Sequence, residues 1–527
     1  MNNTLSPFFR FCTLAIASVC AGGMGWPLTG LAQIQQAPTI DSPSALLPTP
    51  TAWRVTSETW KLPGAEKMGM VGGTVLFDVN DNIKLGAGTY GAMRGNRGGF
   101  ITLGLAGEVQ QRLSPSWLGH AGLFLGGGGG RGGSSLAGGG LMLRGDVGLT
   151  YETGGYGNLG FGVSHVRFPS GVIRSTQPYL LYEYPFHSLL DNGWNAKTPD
   201  GKTPSTASPS ATPQEFSLVM RTYRIPSSVV QDDGLPQHRS LQLLGVEWLS
   251  YLDDRWFVKL ESEGAMGGQS NGYMQVLAGG GYRLPLTRST VLKLHAAAGP
   301  AGGGKVDTGG GLLLDAGIAL QQNLTRRTAV ELSVGAVRAP SRSFKATSLG
   351  FKLNYQFGLP AVTADAVLWN SLGGFEAKAL RVRAVNQTYF KDDPKWRSSF
   401  VDQSVNNIGV QLDYFVSPNW FLTGQGLGAY AGMAGAYMTG LIGVGGQLPV
   451  SDRWFVGGEA LVGAAGGGGM AVGKGLVSQV NAGVGYRLSK SLSVMTTVGQ
   501  VAALRGDFKA KVLGVSLGYQ FTGFAEK

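Results

Sequence analysis

The chain has 527 residues, of which only 14% are charged, against about 25% in ordinary soluble domains, and its formal net charge is +11. Its 86 glycines have no collagen-like period and sit among Val, Leu, Phe and Tyr, and 43% of the chain is hydrophobic, which excludes both a collagen and a disordered polymer. No run of Lys and Arg reads as a nucleic-acid patch, so no nucleic-acid partner is expected.

Residues 1–32 have the form of a secretory signal. Arg10 ends a short basic region, an apolar run extends from Phe11 to Leu31, and Gly30-Leu31-Ala32 offers a small-x-small cleavage site before Gln33. Gly22, Gly23, Gly25 and Pro27 make that run a poor membrane helix, and the bulk of Val19 argues against a lipoprotein signal ending at Cys20. Both cysteines, Cys12 and Cys20, fall in the signal. The mature chain is therefore expected to carry a charge of about +10 and no disulfide, thiolate metal site or Cys nucleophile. Beyond the signal no apolar stretch reaches the roughly 20 residues of a membrane helix, so a membrane form must be a closed barrel. Residues 33–50 hold four prolines and read as a loosely ordered periplasmic lead-in.

The remainder divides into three copies of one unit, 51–186, 215–357 and 375–521. They are joined by a Pro/Ser/Thr-rich linker (187–214) and a shorter one (358–374), with a tail at 522–527. Phe186 and Phe357 are 171 residues apart, and Phe357 and Phe521 are 164 apart. The same offsets relate Leu141, Leu312 and Leu476, and likewise Val163, Val334 and Val498. Turn signals such as Ser417-Pro418-Asn419 and Pro449-Val450-Ser451-Asp452 cut each copy into about eight strand-length pieces with no helical period between them. In the third copy these are 376–390, 405–416, 420–431, 436–448, 453–464, 475–488, 491–502 and 511–521. The spacing predicts an all-β, antiparallel up-and-down meander.

Alternation assigns the faces. Leu349, Phe351, Leu353, Tyr355 and Phe357 share one side, and Ser348, Gly350, Lys352, Asn354 and Gln356 the other. A core-facing or a lipid-facing apolar side satisfies this pattern. The aromatics favour lipid: with the C-terminus placed in the periplasm, Trp256, Trp420, Trp454 and Tyr486 fall at the lower rim. Trp60, Tyr223, Tyr273, Tyr389 and Tyr437 fall at the upper rim, giving two expected girdles.

The last strand resembles the assembly signal of bacterial outer-membrane β-barrel proteins, in which alternating apolar residues end on a terminal aromatic. The matching residues are Leu513, Val515, Leu517, Tyr519 and Phe521, and the departure is the six residues that follow. The resemblance is to a broad, porin-like class rather than a named family. It implies a place in the outer membrane of a Gram-negative bacterium, with outer-membrane lipid and the barrel-assembly machinery as partners and a periplasmic partner reachable through the linkers.

Three eight-strand units make one barrel of 24 strands or three small ones. Inward residues such as Gly457, Gly483, Gly485, Gly514, Ser516 and Gly518 look too small to fill a narrow lumen, which favours one wide barrel. By parity Arg144, Asp146, Glu247, Asp315, Asp413, Glu459 and Arg487 face that lumen. No catalytic, cofactor or metal signature is found, so no enzyme activity is expected. Gly126 to Gly130, Gly302 to Gly304 and Gly466 to Gly469 are followed by strands rather than the helix a phosphate loop needs, and read as outer-loop and upper-strand backbone. The five histidines, His120, His165, His187, His238 and His295, make no matched pair. The expected function is a passive channel or export pore. The alternatives are a structural or adhesive surface protein, and a barrel enzyme acting on envelope lipid.

Overall fold

The computed structural model describes residues 45–191 and 207–527, so the signal reading of 1–32, the first part of the lead-in and the middle of the first linker lie outside the described residues. The described chain is all-β and antiparallel, as the strand spacing predicts. In the third copy the strands run Phe375–Lys391, Val405–Phe415, Trp420–Ala431, Met438–Pro449, Trp454–Gly466, Leu476–Arg487, Leu492–Ala503 and Lys509–Glu526.

The single wide wall is overturned. The strands between Thr49 and Ser188 close on themselves, as do those between Ala211 and Pro360, and in the third copy the last strand pairs with the first. Registers such as Arg54↔Glu183, Ser217↔Asn354 and Arg383↔Gly518 seal the three eight-stranded barrels. The glycine count misled because it overlooked the other inward residues: arginines, lysines, glutamates and glutamines long enough to fill a narrow lumen.

Local chemistry recurs from barrel to barrel. At the end holding the linkers, two-stranded turns are closed by a side chain that accepts backbone N–H groups two and three residues on. Asn80, Asp253, Thr287 and Ser489 do so, and Ser417 and Ser451 hold the residue three on. At the other end, called the loop end, strands two and three of every barrel shift register, between Gly69 and Met70, Gln242 and Leu243, and Asn406 and Asn407. Each is a β-bulge that adds a residue to strand three and bends it at the rim.

The barrels pack in a ring. The fifth strand of the first lies on the third strand of the third, the fifth of the third on the third of the second, and the fifth of the second on the third of the first. This seam is where the Gly-rich tracts go. A Cβ at Gly127 would sit 2.2 Å from the carbonyl oxygen of Gly428, and one at Gly466 2.2 Å from the backbone nitrogen of Gly272, so both positions require bare backbone.

The described parts of the lead-in and linkers form paired strands despite their proline content. Ala45–Leu46 pairs with Val367–Leu368, and Leu190–Asp191 adds to the last strand of the third barrel at Gly523 and Thr522. Leu46, Leu189, Val367, Leu372, Phe375 and Phe524 bury one another there. The expected tail is likewise strand as far as Glu526, paired with Phe375.

Candidate functional site

The barrel interiors hold the concentrated chemistry. In the first barrel, strand one alternates Arg54, Thr56, Glu58 and Trp60 inward against Trp53, Val55 and Ser57 outward, so every second residue enters the lumen. Arg54 forms ion pairs with Glu108 and with Glu183, the latter at 2.6 Å, and Lys84 adds contacts at 3.6 Å to Glu183 and 3.7 Å to Asp78. One layer nearer the loop end, Arg144 pairs with Glu58 at 3.0 Å and with Asp146, and Ser164 donates to Glu58 at 2.7 Å. The Tyr179 hydroxyl lies 2.6 Å from His120 Nε2 and donates to Asp146 at 3.1 Å. Between these layers is a cavity of about 30 Å³, room for about one water.

The second barrel is the most densely charged. Arg221 reaches Glu261 and Glu263 at 2.8 Å and Asp315 at 3.3 Å. Lys259 joins Glu247 at 2.7 Å to Glu261 at 2.8 Å, and Lys352 joins Glu247 at 2.6 Å to Glu331 at 2.9 Å. Lys293 joins Glu331 at 2.9 Å to Glu215 at 2.6 Å. In the third barrel Arg381 and Arg383 share Asp413 at 2.7 and 3.0 Å, Arg383 continues to Glu459 at 2.7 Å, and Gln411 and Asn481 donate to Glu459. All of these side chains are buried or nearly so, and each charge meets an opposite charge. That is the condition under which ions tolerate removal from water.

Above each charged layer an aromatic plug closes the loop end. It is Trp60, Phe100 and Phe168 in the first barrel, Tyr223, Tyr273 and Phe344 in the second, and Tyr389, Tyr437, Trp396 and Phe508 in the third. This corrects the expected upper girdle. Trp60, Tyr223, Tyr273, Tyr389 and Tyr437 are each at most 1% exposed and point into the lumen, since they share parity with the inward charges. The lower girdle stands. Trp256, Trp420 and Trp454 are 54%, 62% and 51% exposed, and Trp256 and Trp454 meet Tyr282 and Tyr486 edge-on at 5.0 and 4.9 Å.

Of the seven lumen-facing residues expected from parity, six join these networks: Arg144 with Asp146, Glu247 and Asp315 in the second barrel, and Asp413 and Glu459 in the third. Arg487 does not. It lies half-buried at the linker end, over the Phe455 ring at 5.5 Å, and donates to the Asp452 carbonyl. Sequence reasoning missed Arg54, Glu58, Arg221, Glu261, Lys259 and Lys293. First-strand parity carried the signal, because Glu215, Ser217, Val219, Arg221 and Tyr223 alternate against Phe216, Leu218 and Met220 as cleanly as any strand used. His120 and His295 also find partners, 3.8 Å from Asp146 and 3.4 Å from Asp315, but both lie sealed in the lumen. Among the described residues no group of His, Cys, Asp and Glu is arranged to hold a metal ion. The arrangement locks each barrel across its middle and leaves no water-filled passage of the width expected for a single wall.

No protein-family model matches the sequence, and no curated protein matches it. Among solved structures the chain is similar to a mutant of the ferric enterobactin receptor from Pseudomonas aeruginosa bound to enterobactin, at 9% identity over 90% of this chain and 82% of that one, with a TM-score of 0.26. It is also similar to the siderophore receptor PirA from Acinetobacter baumannii, at 9% identity over 90% and 80% of the two chains, with a TM-score of 0.27. At that level the likeness carries no argument about activity. The architecture of the chain fits the broad class of bacterial outer-membrane β-barrel proteins.

Proposed function

We propose that this chain is an outer-membrane protein of a Gram-negative bacterium, in which three sealed barrels form a rigid membrane plate serving a structural or surface role. What carries the reading is the pairing of fully charged, closed interiors with outward faces of Leu, Val and Phe. In the last strand of the second barrel Leu349, Phe351 and Leu353 are exposed while Lys352 and Asn354 are buried. Such inversion suits a lipid solvent and fits poorly with water. Ten buried charges in the lumen of the second barrel are costly unless they hold a defined shape, and a plate with a closed ring of seams is such a shape.

A second reading keeps passage of solute. The barrier in each lumen is a layer of ion pairs under a small aromatic plug rather than a folded-in domain, and ion pairs can exchange partners. In that reading the barrels are gated, narrow channels.

Single-channel recording of the refolded full chain separates the two. The sealed plate gives an intact bilayer with no steps, and Arg54→Ala combined with Glu58→Ala opens small ones. Frequent steady steps from the unaltered chain would overturn the structural reading in favour of the gated one.

A further inference from the structure

The outward residues of the eighth strand follow one order in all three barrels: a cation, a short polar or mixed stretch, apolar residues, then aromatics. Arg174, Lys345 and Lys509 occupy the same position, each twelve residues before Phe186, Phe357 or Phe521. Twelve residues rise about 40 Å along a strand, or about 28 Å at a tilt near 45°, close to the thickness of a bilayer's hydrocarbon core. The aromatic end is the girdle at the linker side. The opposite boundary, where a second aromatic belt was expected, is marked by cations instead.

In the first two barrels these cations are crowded together with no acid paired to them. On the hairpin of strands seven and eight, Arg167 stands directly opposite Arg174, and Arg338 directly opposite Lys345. All four are exposed, and among the described residues none has a side-chain hydrogen bond or ion pair. Like charges directly opposite across a sheet oppose folding unless something outside the protein neutralises them. Lys61 opposite Lys67 repeats the arrangement on strands one and two of the first barrel. In the third barrel Asp392 partly neutralises Lys509 and Lys511, at 3.3 and 3.7 Å. The linker end differs, since Arg112 pairs with Glu152 at 2.6 Å and Arg327 with Glu376 at 3.6 Å. The barrels meet through strands three and five, and the eighth strands of the second and third barrels also touch, but at the linker end beside Gly358 and Glu526, so the loop ends of strands seven, eight and one face away from the ring, toward lipid.

We propose that the cation pairs Arg167/Arg174 and Arg338/Lys345 bind the phosphate groups of a phosphorylated glycolipid in the outer leaflet. The proposal rests on the membrane reading above. An arginine pair at the level where hydrocarbon ends can take a phosphate through two parallel N–H···O contacts while the acyl chains lie on the apolar residues below. A lipid headgroup fits better than a free ion, because the cations sit at the top of a continuous apolar wall rather than in a pocket.

The test uses the full chain in detergent micelles, titrated with a bisphosphorylated glucosamine-based glycolipid, with its dephosphorylated counterpart and with inorganic phosphate alone, bound lipid being counted by native mass spectrometry. The phosphorylated lipid is expected to be retained and the dephosphorylated one not. Arg167→Gln, Arg174→Gln, Arg338→Gln and Lys345→Gln together are expected to weaken retention about tenfold or more. Equal retention of both lipids, unchanged retention by the variant, or displacement by stoichiometric inorganic phosphate each overturns the proposal. The comparison of the two lipids needs no variant, so it stands if the variant fails to fold. A chain that does not enter bilayers at all defeats the membrane reading, whereas one that inserts without discriminating phosphate defeats this proposal alone.

Discussion

Arg54 and Glu108 belong to the first and fourth strands of their barrel, which share no backbone ladder, yet their side chains meet across the lumen with Nη2 2.9 Å from Oε1. Arg383 and Glu459 do the same between the first and fifth strands of the third barrel, and Arg221 and Asp315 between the first and sixth of the second. A first-strand arginine thus ties opposite walls together in every barrel. These ties fix the circumference, because a 24-strand wall would hold the partners far beyond the reach of one side chain.

Removing one member of such a tie should cost more than removing all of it. Arg54→Ala strands Glu108 and Glu183 as buried carboxylates with only Lys84 nearby, at an expected cost of about 3–5 kcal/mol. Arg54→Met with Glu108→Leu and Glu183→Leu replaces the charges by apolar volume and should recover most of that loss. Urea midpoints of the refolded chain measure both. Equal destabilisation by the single and triple variants would show that the ion pairs themselves, rather than the stranded charge, carry the stability.

The glycine seams should be separable from the barrels. Gly127→Val drives a branched side chain into the Gly428 carbonyl, 2.2 Å from where its Cβ must sit, while both residues remain in intact strands. The expected result is loss of contact between the first and third barrels without loss of either. Cross-linking between cysteines placed at Leu103 and Gly426 should fall several-fold, and strand content by circular dichroism should hold. Cross-linking unchanged from the parent would mean the seam is not tight.

Much of this was legible in the sequence because period-2 alternation and the repeat offsets act locally. Strand Trp420–Ala431 has the ends its spacing predicts, and Val405–Phe415 matches to within one residue. What was not legible depends on closure. Whether Phe521's strand pairs with its own copy's first strand or with the first strand of the first copy is decided by which side chains fill the lumen, and that is a sum over eight strands rather than a property of any one. Tyr223 illustrates the same limit. Its place at a strand end suggested an interface, but its parity with Arg221 sends it inward, where its hydroxyl finds Gln275 at 2.8 Å.

That distinction among aromatics can be measured. In bilayers containing brominated lipid, chains reduced to a single tryptophan should be strongly quenched when it is Trp256, Trp420 or Trp454. They should be little affected when it is Trp60 or Trp396, both fully buried. Strong quenching of Trp60 would restore the upper girdle and contradict the plug.

The turn after the second strand of the second barrel should make its hairpin sensitive to acid. Asp253 accepts the backbone N–H groups of Arg255 and Trp256, both at 2.7 Å, and these bonds hold its carboxyl below the ordinary carboxylate range. A carboxyl lowered in the folded state stabilises fully above its unfolded pKa and loses that contribution as pH falls through its folded pKa. Asn80, Thr287, Ser417, Ser451 and Ser489 close related turns without a charge, so the protein supplies its own control. Asp253→Ser should keep the turn and remove the acid sensitivity, whereas Asp253→Ala should weaken the turn at every pH. Hydrogen exchange at the Trp256 amide, followed from neutral pH into the acid range after correction for intrinsic rates, reads both effects. Identical pH profiles for the parent chain and Asp253→Ser would show that this carboxylate is not what secures the turn.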